Sequence, residues 1–209
     1  LTDVTGVQTC ALPILDAEIR DEEYLNTLMR QVAFAIDNAR LFHDAITDGL
    51  TGLFLKRYFQ IQLDIELRRV RRHGRAMTLM MADLDHFKKI NDTYGHLQGD
   101  AVLRGAAQAV RGCVRDVDVV ARYGGEEIVL ILPDTAASRA REIAERIRAV
   151  VEARRFPCRG TAVAVTASIG VLTVPGGERL SPEEAVNRAD AALYLAKTRG
   201  RNRVEVWTA

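Results

Sequence analysis

An α+β fold built on an antiparallel central sheet is what this sequence predicts, and three observations carry that expectation. Apolar residues make up 48% and charged residues 27% of 209 residues, a core-forming composition rather than a disordered one. From about residue 48 onward, apolar runs and amphipathic stretches follow in the order strand, helix, strand, strand, helix, strand. Between the two middle strands stands Gly124-Gly125, a hairpin signal. That order describes a ferredoxin-like or polymerase-palm sheet flanked by helices.

Taken in order, residues 1–14 (LTDVTGVQTCALPI) show no helical or strand period. The string resembles translated sequencing-adapter sequence and is expected to be a non-native or disordered tail. Residues 15–43 read as one helix, with Leu25, Leu28, Val32, Ala35, Ala39 and Phe42 spaced alternately three and four apart, a heptad seam. The same spacing suits an amphipathic helix packed on a neighbouring domain. A helix is expected over residues 57–72, and the apolar run 77–82 is a buried strand. Gly99-Asp100 opens a helix to residue 114, with Asp100 as its N-cap. Residues 118–123 and 127–132 are the hairpin strands, and Pro133-Asp134-Thr135 begins a helix to about residue 153. Residues 163–174 form a strand, Ser181-Pro182 caps a helix to residue 198, and 203–207 is a closing strand. The expected organisation is a tail (1–14), a linker or signalling helix (15–46) with an N-terminal position, and one domain (47–209).

Lys and Arg number 29 against 28 Asp and Glu, which argues against non-specific binding to nucleic acid or to membranes. Cys10, Cys113 and Cys158 lack metal-ligand spacing, and Cys113 and Cys158 sit among apolar or small residues, as buried thiols do. Such usage suits a reducing cytoplasm, the expected location. No apolar run approaches the ~20 residues of a membrane helix, and the stretch containing Pro13 lacks the basic flank of a signal peptide.

The chemistry is carried by carboxylates. In ADLDHF (82–87) a buried strand ends in Asp83, followed by Leu84 and Asp85. In the expected topology this strand end and the hairpin tip at Gly124, Gly125, Glu126 and Glu127 share one sheet edge. Carboxylates crowded there repel one another and are costly to bury unpaired. A hard cation resolves that conflict, and magnesium prefers one or two carboxylates completed by substrate phosphates. Two such ions ease in-line attack on phosphorus. Taken alone, a DxD after a strand also suits an aspartyl-phosphate phosphatase, and Glu126 and Glu127 also suit a solvated turn. Nearby, KKIND (88–92) and GHLQGD (95–100) add Asn91 and Asp100, which offer donor and acceptors for a guanine edge. Lys88 lies near a short helix start, suited to phosphate oxygens, and Lys197 and Arg201 lie four apart at a helix end, suited to a triphosphate.

These strings together resemble the GGDEF family of diguanylate cyclase domains, in its GGEEF variant. RYGGEEI (122–128) matches the signature. DGLTGL (48–53), ADLDHFKKINDTYGHLQGD (82–100), TASIGV (166–171) and ADAALYLAKTRGRNRV (189–204) match in order, over about residues 48–206. The helix running into DGLTGL also resembles the last helix of a GAF sensor domain. The resemblance implies condensation of two GTP into cyclic di-GMP and two pyrophosphates on two Mg2+ ions per site, with Mn2+ as an alternative. Asp83 and Glu126, with the Leu84 carbonyl, would hold metal. Glu127 would assist there or in activating the 3′-hydroxyl. Asn91 and Asp100 would read guanine, Gly124 and Gly125 would line the nucleotide, and Lys88, Lys197 and Arg201 would bind phosphates.

Each domain would hold one GTP, so the product requires two facing domains, most simply a homodimer. Residues 15–43 are placed to govern that encounter. RDVD (115–118) resembles the family's RxxD inhibitory site for product, with Arg115 and Asp118 supported by Arg146. Short RxxD strings are common, so position carries this reading. Ile128 stands where the family has phenylalanine, and His86 where it often has another aromatic. A catalytically silent module binding GTP or cyclic di-GMP is the alternative function. An RNA-binding sheet would display stacking aromatics, and MTLMMAD and EIVLIL have none.

Overall fold

The computed structural model describes residues 12–158 and 161–208, in two compact units divided between Ala45 and Ile46. The described part of the first unit is the helix α1 (Leu12–Ile46) up to Ala45, and the helix begins three residues ahead of expectation. The rest of the expected tail, with Cys10, lies outside the described residues. Leu25, Leu28, Val32 and Phe42 of the heptad seam are exposed on α1.

In the second unit everything is arranged on β2 (Met77–Leu84), all of whose residues are buried. They divide by parity, as a pleated strand requires. Met80, Ala82 and Leu84 join one core, and Met77, Leu79 and Met81 the other. The strand β4 (Glu127–Leu132) divides the same way, with Ile128 and Leu130 on the first face and Val129 and Ile131 on the second. A strand buried on both faces reads as the unbroken apolar run seen in the sequence.

Around β2 the sheet runs β1-β3-β4-β2-β7-β8, from β1 (Phe54–Leu55), β3 (Val119–Arg122), β7 (Ala167–Val174) and β8 (Val204–Val206). The four middle strands are antiparallel in the ferredoxin-like order, and β1 and β8 add parallel edges. The α+β expectation holds. One face is covered by α2 (Lys56–His73) and α6 (Pro182–Thr198). The other is covered by α3 (Phe87–Tyr94), α4 (His96–Arg111) and α5 (Ala137–Ala153). The end of α2 is set by Gly74 at φ 67°, whose N–H donates to the Val70 carbonyl at 3.0 Å. Ser181 caps α6, its hydroxyl accepting from the Glu184 N–H at 3.1 Å. A side chain at Gly170 of β7 would collide with the α6 backbone at Leu193 and Ala189, so glycine permits this close approach.

Three local expectations need correction, and one short strand was not expected at all. Asp100 is not an N-cap: α4 starts at His96, and α3, not expected as a separate helix, precedes it across Gly95 at φ 87°. The helix expected from Pro133 starts at Ala137, since Asp134 adopts φ 48° and Thr135 bonds back to Ala76. The strand expected over 163–174 is two, β6 (Thr161–Ala164) and β7, and β6 pairs with β5 (Arg155–Cys158) in a separate hairpin. The two-residue strand β1 carried too short a signal to be read.

Candidate active site

Antiparallel register sets Asp83, in the last two residues of β2, directly across from Glu127, the first residue of β4. Parity puts both on the face covered by α6. There Lys197, in the last turn of α6, brings its ammonium to 2.8 Å from Oδ2 of Asp83. Glu126 precedes Glu127 at the hairpin tip. Burial pushes the Asp83 carboxyl above the ordinary value near 3.8, against the hydrogen bond and charge of Lys197, and Glu126 and Glu127 push it further. Asp83 and Glu127 thus share one sheet edge, with Glu126 near enough to act on the Asp83 carboxyl.

The hairpin tip is clamped from below. Nε and Nη2 of Arg122 donate to the Gly125 carbonyl at 3.2 and 3.0 Å, while Nη1 pairs with both oxygens of Asp48 at 3.2 and 3.1 Å. Asp48 also accepts from the Thr51 N–H at 2.9 Å and its hydroxyl at 2.7 Å. A Cβ at Gly124 would lie 2.8 Å from Oε2 of Glu127, so glycine leaves room for that carboxylate. Gly125 is exposed.

A second group forms where α3 meets α4. The carboxamide of Asn91 rests so close over Gly99 that any side chain there would strike it, and Asp100 follows immediately. Lys88 is exposed on the first turn of α3. Arg201 is also exposed, in the turn beyond α6 rather than on the helix with Lys197.

A third group lines a cavity of about 100 Å3 bounded by Cys113, Arg115, Asp118, Thr135, Ile143 and Arg146. Asp118 is buried, accepting from the Arg115 N–H at 2.8 Å and from its guanidinium at 3.4 Å. Nη2 of Arg115 also reaches the Thr135 hydroxyl at 3.1 Å, and Arg146 donates to the Cys113 carbonyl at 2.6 Å.

The profile of the family described as diguanylate cyclase, GGDEF domain, matches residues 45–203. The chain belongs to the GGDEF family. Diguanylate cyclase A of Treponema denticola is 41% identical over 187 residues, covering 88% of this chain and 50% of that protein. The response regulator PleD of Caulobacter vibrioides is 47% identical over 162 residues, 77% of this chain and 36% of its own length. The chain thus spans about half or less of the curated relatives it matches. Among solved structures, the GGDEF domain of DgcB from Caulobacter crescentus, in complex with c-di-GMP, is similar with a TM-score of 0.74 and 39% identity, covering 79% of this chain and 94% of that one.

In this GGDEF domain the departures noted in the sequence are mild. Ile128 points inward and is buried, a tolerable exchange for phenylalanine. His86 is exposed at φ 58°, at the turn between β2 and α3. The donors on the acidic edge fit magnesium: hard oxygens on a buried carboxylate that already draws an ammonium to it. Among the described residues no three His, Cys, Asp or Glu side chains group closely enough to hold a metal by themselves. Sequence reasoning missed the Arg122–Asp48 clamp and the role of Asp85, whose carboxylate accepts from the Thr166 hydroxyl, the Ser168 hydroxyl and the Asn202 N–H at 2.7, 2.7 and 3.0 Å. The second aspartate of the DxD string is thereby engaged by the scaffold. The only signal for it was the pair of hydroxyl residues in TASIGV.

Proposed function

We propose that this domain is a diguanylate cyclase: the 3′-oxygen of one GTP attacks the α-phosphorus of another, the bond to the β-phosphate breaks, pyrophosphate leaves, and a second such step closes the ring. The observation that carries this reading is the juxtaposition of Asp83 and Glu127 in register, beside Glu126 and Lys197, under a glycine hairpin. The names of the relatives support it.

Asp83 and Glu126, with the Leu84 carbonyl, would hold magnesium, or manganese, with two ions in a complete site. Bound there, the metal offsets charge developing on the α-phosphate and the leaving oxygen. Glu127 assists at that site or in activating the 3′-hydroxyl. Asn91 and Asp100 read the guanine edge, and Gly124 and Gly125 let the nucleotide approach the hairpin backbone. Lys88, Lys197 and Arg201 bind phosphates, and catalysis rests mainly on positioning and electrostatic stabilisation.

Two half-sites, each with one GTP, would face one another in a homodimer. On this reading residues 15–46 are a signalling helix, a GAF-like remnant, whose exposed seam would pair two copies, and 47–209 is the catalytic domain. The cavity beside Arg115, Asp118 and Arg146 would take part of a cyclic di-GMP molecule as inhibitor. At about 100 Å3 it is smaller than the about 300 Å3 at which ligand pockets begin, so most of the dinucleotide would lie outside. Chromatography of a GTP and magnesium incubation, with and without a chelator, tests the activity. Magnesium-dependent cyclic di-GMP supports it. Nucleotide binding without product, even with a dimerising fusion, leaves a silent binding module.

A further inference from the structure

The turn that presents Arg201 is an unusual piece of backbone. Gly200, Arg201 and Asn202 have φ of 113°, 62° and 46°, three successive residues in the left-handed region, two of which are not glycine. L-residues do not hold such a run unaided, so the surroundings must over-determine it. The Arg201 N–H donates to the Ala196 carbonyl at 3.0 Å, and the Arg201 carbonyl accepts from Nε of Arg203 at 3.2 Å. The Asn202 N–H donates to Oδ2 of Asp85 at 3.0 Å. The Asn202 carboxamide is fixed at both ends, its Nδ2 donating to Glu152 at 2.7 Å and its Oδ1 accepting from Arg148 at 2.9 Å. The main chain is pinned on every side while the Arg201 side chain stays exposed.

Asp85 is the other half of the device. It is buried, and its oxygens accept from Thr166, Ser168 and Asn202. It follows Asp83 by two residues, so this carboxylate ties the catalytic end of β2 to the turn carrying Arg201. A buried carboxylate satisfied by three donors is a rigid joint.

We propose that Asp85 and Asn202 are positioning residues for the nucleotide triphosphate, fixing the turn of Arg201 relative to Asp83 so that the guanidinium meets the phosphates already oriented. This rests on the cyclase reading of the site. Preorganisation of this kind acts on ligands that reach Arg201 and not on those that do not.

The test is calorimetric titration of the full chain, with magnesium, using two probes: an α,β-methylene analogue of GTP, which cannot react, and guanosine monophosphate, which lacks the outer phosphates. Asp85→Asn and Asn202→Gly are each expected to weaken the analogue about tenfold, as loss of a charge-assisted contact does, and to leave the monophosphate unchanged. In an Arg201→Ala background neither substitution weakens the analogue further, since partners in one interaction are not additive. Asn202→Gly keeps the left-handed backbone and the N–H to Asp85, so it decides the matter if Asp85→Asn does not fold. Equal weakening of both probes, additive losses with Arg201→Ala, or an unchanged analogue affinity in a folded variant would overturn the inference. A wild-type chain that binds neither probe overturns the nucleotide-site reading itself, and the inference with it.

Discussion

The ammonium of Lys197 lies 2.8 Å from Oδ2 of Asp83, so a side chain expected to bind phosphate is paired with a carboxylate expected to bind metal. The lysine thereby supplies Asp83 with an opposing charge at the end of β2. Under the proposed function, a metal bound at Asp83 would compete with Lys197 and leave the ammonium to the phosphates.

Lys197→Met removes this internal cation. It should tighten magnesium binding to the nucleotide-free protein by about two- to tenfold, since an opposing charge is gone, while weakening an unreactive GTP analogue about tenfold. Titration calorimetry reads both. Weaker metal binding in the variant contradicts the competition.

Asp83 should weaken the protein that contains it. Its folded-state pKa is raised, so the folded chain keeps a proton that the unfolded chain has lost. Stability therefore falls as pH rises from the ordinary value near 3.8 through the raised one, and the penalty is complete above that. Asp83→Asn should accordingly match or exceed the wild-type Tm at neutral pH without ligand, and this advantage should vanish in acid. Product formation should fall at least about a hundredfold. Thermal unfolding across pH, beside an activity assay, checks both halves.

Asp48 titrates in the opposite sense. Burial alone would raise its pKa, but the hydrogen bonds from the Thr51 hydroxyl and N–H, together with Arg122, outweigh burial and hold it below the ordinary value. Its contribution is present above about pH 4 and is lost as pH falls through the lowered value. Asp48→Asn is expected to cost about 1–3 kcal/mol at neutral pH, with little difference from wild type in strong acid. Urea unfolding at the two pH values measures it. Arg122 also grips Gly125, so activity should fall beyond what lost stability explains.

Arg115→Ala should weaken cyclic di-GMP binding at least tenfold and relieve inhibition by added product, because Arg115 bridges Asp118 and Thr135 at the cavity wall. Unchanged affinity for cyclic di-GMP in a folded Arg115→Ala protein would place any product site elsewhere.

The central strands β2, β3 and β4 were legible in the sequence because they depend on local pattern. A strand buried on both faces is an apolar run, and a glycine hairpin marks which strands pair. The expected palm-like topology, which sets β2 beside β4, then brings Asp83 across from Glu127. What could not be read depends on contacts far apart in the chain. Asp85 meets Thr166 and Asn202 only after β7 and α6 have folded against β2, and Arg122 finds Asp48 only when β1 lies beside β3. The misplaced start of α4 has another cause. Asp100 is a good N-cap residue by type, but the break falls at Gly95, where a positive φ is required.

The most direct measurement is incubation of the purified chain with GTP and magnesium beside its Glu127→Gln variant, with products resolved by chromatography. Cyclic di-GMP and pyrophosphate from the wild type, and a loss of at least about a hundredfold in the variant, are the expected result. Equal turnover by both proteins would contradict the carboxylate site as the seat of the chemistry.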